Sequence, residues 1–209
     1  MIRVLIADSV PMVREGLKQV LAQDSKIAVT SEADSAAGAR EKIAEKNANL
    51  LILDLELDGA VGLDLCKEIR NEYPDISILV FATKGEQAYA LRALKSGASA
   101  FLTKKAEAEE ILAAVKKIAN GDLYVTPMQA SKIADHSINQ DFSSVLHLLS
   151  DRELEVLHLL GTGLSNSEIA RKLYLSEKTV STYRSRMLQK LGLKNNTELI
   201  RYAMEHELD

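Results

Sequence analysis

The feature that most restricts the fold of this chain is a strict alternation over its first 124 residues, in which five short apolar runs are each followed by a segment apolar at helical spacing. The runs are Ile2–Ala7, Ile27–Thr30, Leu50–Leu53, Ile76–Phe81 and Ala98–Leu102. The helical segments are PMVREGLKQVLAQ, SAAGAREKIAEK, GLDLCKEIRNEY, EQAYALRALKSG and EAEEILAAVKKIANG. Strand and helix in turn predict an α/β doubly wound five-stranded parallel sheet covered on both faces. Ligands of such sheets gather at the carboxyl ends of the strands. The sequence puts Asp8 after the first strand, Asp54 after the third, Thr83 after the fourth and Lys104 after the fifth. Each alone is an ordinary polar loop residue; four converging on one edge mark a candidate site.

A length of 209 residues leaves room for a second domain. The chain is 46% hydrophobic and 27% charged, has no apolar run long enough to cross a membrane and does not start like a secretory signal, so a soluble cytoplasmic protein is expected. Its one cysteine, Cys66, reads as a small buried helix residue in a reducing compartment. Charge is unevenly spread. Residues 1–147 hold 17 basic and 21 acidic side chains and 148–209 hold 9 of each, yet Arg171 to Lys194 carries seven Lys or Arg against one Glu. On charge alone, that segment is either a solvated helix face or a nucleic-acid surface.

The residues around it narrow the choice. Ser150, Ser165 and Ser176 each look like a helix N-cap, and Glu153 and Glu168 stand three residues after the first two, the spacing of a capping box. GTGLS supplies a glycine stop after ELEVLHLL. A very short helix, NSEIARKLYL, then leads at once into a third. The third puts Val180, Tyr183, Met187, Leu188 and Leu191 on one face and Lys178, Ser181, Thr182, Ser185, Arg186 and Lys190 outward. A last helix begins near Asn196, giving an all-α four-helix domain containing a helix-turn-helix, whose second helix fits the DNA major groove.

From Leu149 to Ile200, LSDRELEVLHLLGTGLSNSEIARKLYLSEKTVSTYRSRMLQKLGLKNNTELI resembles the DNA-binding domain of the LuxR/NarL/FixJ family. The resemblance implies that Ser181, Thr182 and Ser185 face bases, that Lys178, Thr179, Arg184 and Lys190 lie near phosphates, and that Leu199, Tyr202 and Ala203 form a dimer contact. Arg186 is either a guanine reader or another phosphate clamp. Tyr183 is either core or a stacking platform.

Over residues 1–124, VLIADSVPMVREGL, LLILDLELDGAVGLDL, VFAT and SGASAFLTK resemble, in order, the flavodoxin-like receiver domain of a two-component response regulator. That likeness implies that Asp54 accepts a phosphoryl group and that Asp8, Asp54 and the backbone carbonyl of Glu56 hold Mg2+. Lys104 then pairs with the phosphoryl group and Thr83 hydrogen-bonds it. Phe101 falls at the family's aromatic switch position, where plain core packing is the competing reading. Receivers carry two acidic residues after the first strand; here the pair is Asp8-Ser9, which predicts weakened metal binding. Leu57-Asp58 replaces the usual Met-Pro and adds negative charge beside the site. The expected organisation is a receiver at 1–124, a linker at 125–147 and a DNA-binding domain at 148–209. The expected function is DNA-binding transcriptional control, switched by phosphorylation of the receiver by a sensor histidine kinase or phosphotransfer protein. Double-stranded DNA, RNA polymerase and a second copy of the chain are the other implied partners. The alternative is a phosphorylation-independent regulator with a degenerate receiver, controlled by dimerisation or protein contacts. An enzyme is not expected, because Asp54 is then a stoichiometric acceptor.

Overall fold

The computed structural model describes residues 1–57, 62–83, 86–131 and 148–205. The chain divides into two compact units, Met1–Ser131 and Lys132–Asp209. Among the described residues, no helix is long and apolar enough to cross a membrane.

The first unit alternates as the sequence predicts: β1 (Ile2–Ala7), α1 (Pro11–Leu21), β2 (Ile27–Ala33), α2 (Ala36–Ala44), β3 (Leu50–Leu53), α3 (Gly62–Glu72), β4 (Ser77–Ala82), α4 (Glu86–Lys95), β5 (Ala100–Thr103) and α5 (Ala108–Ala119). The strands form one parallel sheet in the order β2-β1-β3-β4-β5. Because successive strand residues point to opposite faces, the core splits in two. Leu5, Leu51, Leu53, Ile78, Val80 and Phe101 pack with Ala39 and Ile43 of α2, Cys66 and Ile69 of α3 and Ala93 of α4. Ile6, Leu50, Ile52, Leu79 and Leu102 pack with Leu17 and Leu21 of α1 and Ile111, Val115 and Ile118 of α5. Cys66 is fully buried, as expected, and burial pushes its thiol up to about 11.

Two strands differ from the sequence reading by more than one residue at an end. β2 runs three residues past Thr30, because a bulge shifts its register from Val4↔Val29 to Leu5↔Ser31. The extension carries Glu32, which pairs with Arg14 at 3.2 Å and Lys18 at 2.8 Å, so its end is polar and hidden from an apolar-run criterion. β5 starts two residues late, after Gly97 turns at φ +98°, where a Cβ would lie 2.5 Å from Arg70 Cγ.

The expected linker also divides. Residues 127–131 are helical and belong to the first unit, whereas 132–147, like Asp58, lie outside the described residues. Tyr124 forms a parallel bridge with Ala100. Thr126 and Gln129 then cap one another: Thr126 N donates to Gln129 Oε1 and Gln129 N donates to Thr126 Oγ1, each at 3.2 Å. Gln129 is buried, and its Nε2 donates to the carbonyl of Phe101 at 3.0 Å. The segment after α5 is thereby fastened to β5 three residues before Lys104. Gln129→Leu keeps the volume but removes the donor and the cap. It should destabilise the first unit by about 1–3 kcal/mol, seen by calorimetry of the full chain as a lower midpoint for that unit's transition.

The second unit holds α6 (Asp151–Gly161), α7 (Asn166–Lys172), α8 (Glu177–Leu191) and α9 (Asn196–Glu205). Ser150, Ser165 and Ser176 are the N-caps of α6, α7 and α8, and both predicted capping boxes are present. Leu154, Val156, Leu157, Leu160, Ile169, Val180, Met187, Leu199 and Ala203 are buried in its core.

Candidate functional site

Sheet register brings the first unit's polar residues together. Ala7 pairs with Leu53, so Asp8 and Asp54 leave neighbouring strands side by side, and Asp54 N donates to the Ala7 carbonyl at 2.9 Å. Both carboxylates are bound in the same way. Oδ1 accepts from the backbone N–H two residues on, Val10 for Asp8 at 2.8 Å and Glu56 for Asp54 at 3.2 Å. Each Oδ2 meets Lys104 Nζ, at 2.7 Å for Asp8 and 3.0 Å for Asp54. Lys104 reaches them because its own N–H continues the ladder past β5, donating to the Ala82 carbonyl at 2.7 Å. Arg14 fixes the loop from α1, donating to the Asp8 carbonyl at 2.7 Å.

Both carboxylates are almost wholly buried, with side-chain exposures of 2% for Asp8 and 1% for Asp54. Burial pushes Asp54 above the usual carboxylate range; Lys104 opposes that rise and the Asp8 charge adds to it. Burial works against the Lys104 ammonium too, but contact with the two aspartates outweighs it and holds Lys104 above the ordinary lysine value. Asp8 Oδ2 is buried and, apart from Lys104, meets no donor. Two convergent carboxylates and the Glu56 backbone fit a hard cation that keeps much of its water. Among the described residues, no group of three or more Asp, Glu, His or Cys is placed to hold a metal. Ser9, which follows Asp8, is half-buried. Thr83 is exposed at the end of β4, and Phe101 is completely buried.

In the second unit, four residues join α7 to α8. Lys178, Ser181, Thr182, Ser185, Arg186 and Lys190 are all exposed on α8, while Val180 and Met187 are buried and Tyr183 is half-buried. Thr182 Oγ1 donates to the Lys178 carbonyl at 2.9 Å and Ser185 Oγ to that of Ser181 at 3.1 Å, so both present acceptor lone pairs outward. Ser176 Oγ and Thr179 Oγ1 share a hydrogen bond of 2.8 Å at the helix start. Arg184 is spent inside the unit: its guanidinium donates to Asn166 Oδ1, and to Asn196 Oδ1 at 3.2 Å. Asn166 also donates to Ser181 Oγ at 3.2 Å, so it ties α7 to α8.

Comparison with known proteins agrees with both geometries. Residues 4–116 match the model of the response regulator receiver domain, and residues 147–203 match that of the bacterial regulatory proteins of the luxR family. The chain is a LuxR-family response regulator. The oxygen regulatory protein NreC of Staphylococcus carnosus is 32% identical, with 99% of this chain and 98% of that protein covered. The solved RcsB response regulator of Salmonella typhimurium superimposes with a TM-score of 0.76 at 26% identity, covering 99% of this chain and 98% of that one. RcsB bound to the rprA promoter in the presence of phosphomimetic BeF3− gives 0.71 at 28% identity, covering 96% and 97%.

One assignment made from the sequence of this response regulator changes, and a second residue gains a partner. Leu199 and Ala203 are wholly buried in the unit's own core, so they are not a surface for a second copy. The reason is close helix packing: a Cβ on Gly161 of α6 would lie 3.1 Å from the Ala203 Cβ. Tyr202 is half-buried beside them. Lys190 has a partner that sequence spacing does not reveal. Its Nζ lies 2.6 Å from Oε2 of Glu153, the capping-box acid of α6, which is buried and also accepts from Ser150 N at 2.7 Å. Burial pushes Glu153 up, but Lys190 and Ser150 together pull its pKa below the usual value.

A carboxylate with a depressed folded pKa adds stability above its unfolded pKa and loses it as pH falls through the folded one. Lys190→Ala should therefore lower the unfolding midpoint at neutral pH, the loss of stability being on the order of 1 kcal/mol because Lys190, though not the buried Glu153, is screened by water. The gap from wild type should close in acid, as Glu153 is protonated. An unchanged midpoint at neutral pH would mean that the pair adds nothing.

Proposed function

We propose that this DNA-binding transcriptional regulator is switched by phosphorylation of Asp54. The observation that carries the proposal is the ammonium of Lys104 shared by two buried carboxylates. A buried acid with a raised pKa is a poor resident anion, and a fixed cation beside it keeps it ionised and thus nucleophilic. The Asp54 oxygen forms a bond to phosphorus as the bond to the donor breaks; from a phosphohistidine, the departing imidazole takes its proton from water. Lys104 then faces the new phosphoryl oxygens, and Thr83 at the next strand end supplies a hydroxyl to them. Asp8, Asp54 and the Glu56 carbonyl are the residues that would hold Mg2+, which when bound supplies positive charge to the incoming oxygens. A sensor histidine kinase or a phosphotransfer protein is the donor. Phe101, buried between these strand ends and the α3–α4 face, is the candidate to carry the change into the fold.

On the output side, Ser181, Thr182 and Ser185 face bases, while Lys178 and Arg186 meet phosphates. Among the described residues neither of these cations pairs with a carboxylate. Two copies reading two half-sites supply the contact area that one short helix lacks. With Leu199 and Ala203 in the core, a contact through α9 falls on its outer side, where Met204 is 58% exposed. Contact with RNA polymerase and a cytoplasmic setting complete the reading.

The deciding experiment is intact mass after incubation with a small phosphodonor and Mg2+. Wild type should gain one phosphoryl group and Asp54→Ala none. No gain in wild type would favour the phosphorylation-independent reading, which the departures at Ser9 and Leu57-Asp58 support.

A further inference from the structure

Three helices of the second unit end in the same hydrogen-bonded motif, and one of them ends on the wrong residue. After α6, Gly163 N donates to the Leu160 carbonyl at 3.0 Å and Leu164 N to that of Leu159 at 3.3 Å. After α8, Gly192 N donates to Gln189 at 3.4 Å and Leu193 N to Leu188 at 2.9 Å. After α7, Tyr174 N donates to Arg171 at 3.4 Å and Leu175 N to Ala170 at 2.8 Å. Each is a Schellman closure, with the pivot residue left-handed and a leucine following it. The pivots have φ of 83° at Gly163, 66° at Gly192 and 54° at Tyr174. Glycine adopts that conformation without strain, but a bulky side chain there is an outlier. The fold draws nothing from the ring in return, because Tyr174 is 78% exposed. Lys46, at φ 56°, is the first unit's one described non-glycine case, but it lies at a helix end with no proposed partner.

The strained aromatic sits three residues before Glu177, the first residue of α8, and follows Arg171 and Lys172, both exposed. In helix-turn-helix proteins the N-terminal end of the second helix enters the groove, which leaves the preceding turn at the groove rim among the phosphates. We propose that Tyr174 is a DNA-backbone contact, its hydroxyl donating to a phosphate oxygen and its ring lying along the adjoining sugar. A strained residue kept where it adds nothing to the fold is explained when it acts on a ligand, and a hydroxyl on a rigid ring is a suitable donor to an anionic oxygen. The proposal rests on the DNA-binding reading and adds a neutral contact to its cationic ones.

The test uses the full-length protein, treated with a small phosphodonor and Mg2+, and a random-sequence DNA duplex titrated at several salt concentrations. Tyr174→Gly should raise the unfolding midpoint, since glycine relieves the left-handed strain, and yet weaken DNA binding by about tenfold. Tyr174→Phe should keep the wild-type midpoint and lose most of the same affinity. In both, the slope of log affinity against log salt should stay that of wild type, because no charge is removed, whereas Lys178→Ala should lower it by about 0.9. A Tyr174→Gly protein that binds as wild type would overturn the proposal. So would a lowered midpoint, which would make the ring part of the fold. If Tyr174→Phe binds fully while Tyr174→Gly does not, the hydroxyl contact is wrong. If wild type itself does not bind the duplex while Lys178→Ala is equally inert, the DNA-binding reading falls and the proposal with it.

Discussion

Everything in the first unit turns on one ammonium group placed between two buried carboxylates. Asp8 and Asp54 side by side in an apolar sheet edge would repel one another, and each would be costly to ionise. Lys104 removes both costs at once, because the end of β5 lies on the same sheet edge and its four-carbon stem reaches back past β4 to both carboxylates. The sheet order, the N–H groups given to each Oδ1 and the Arg14 contact on the Asp8 backbone serve this arrangement. A phosphoryl group on Asp54, as proposed, would change the charge that Lys104 answers to. Lys104, Phe101 and the Gln129 contact follow one another along a few residues of chain, so a change at the carboxylates has a short path to the segment that leaves the first unit.

The second unit uses the same physics for a different end. Glu153 is a buried carboxylate stabilised by Ser150 at its own helix start and by Lys190 of α8, so a capping residue also sets how the outer helix lies on the inner one. Arg184 does likewise through Asn166 and Asn196. Half of the basic charge expected to meet DNA from α8 is thus engaged in positioning the helix, which leaves Lys178 and Arg186 for the proposed phosphate contacts.

Much of this was legible from sequence, for identifiable reasons. Runs such as Leu50–Leu53 are buried on both faces and have no other use than a central parallel strand, and a strand end names the residue that follows it. Asp8, Asp54 and Lys104 were therefore placed by topology alone. The serine caps were legible because their partners lie three residues away. What escaped were contacts between residues far apart in the chain whose types do not announce them: Glu153 with Lys190, Gln129 with the Phe101 carbonyl, Asn166 with Arg184. The end of β2 escaped because Ser31 and Glu32 are polar in a strand. Leu199 and Ala203 misled for the opposite reason: an apolar stripe on a last helix has the same pattern whether it faces its own core or a second copy, and burial decides for the core.

The central claim is that the state of Asp54 sets the affinity for DNA. Its most direct test is the dissociation constant of the full-length protein for a duplex selected from a random pool, measured at fixed salt with and without phosphodonor and Mg2+, for wild type and Asp54→Asn. Tighter binding in wild type on addition of phosphodonor, with no response in Asp54→Asn, is the expected result. Equal affinities in wild type under both conditions, or an equal response in Asp54→Asn, would contradict it.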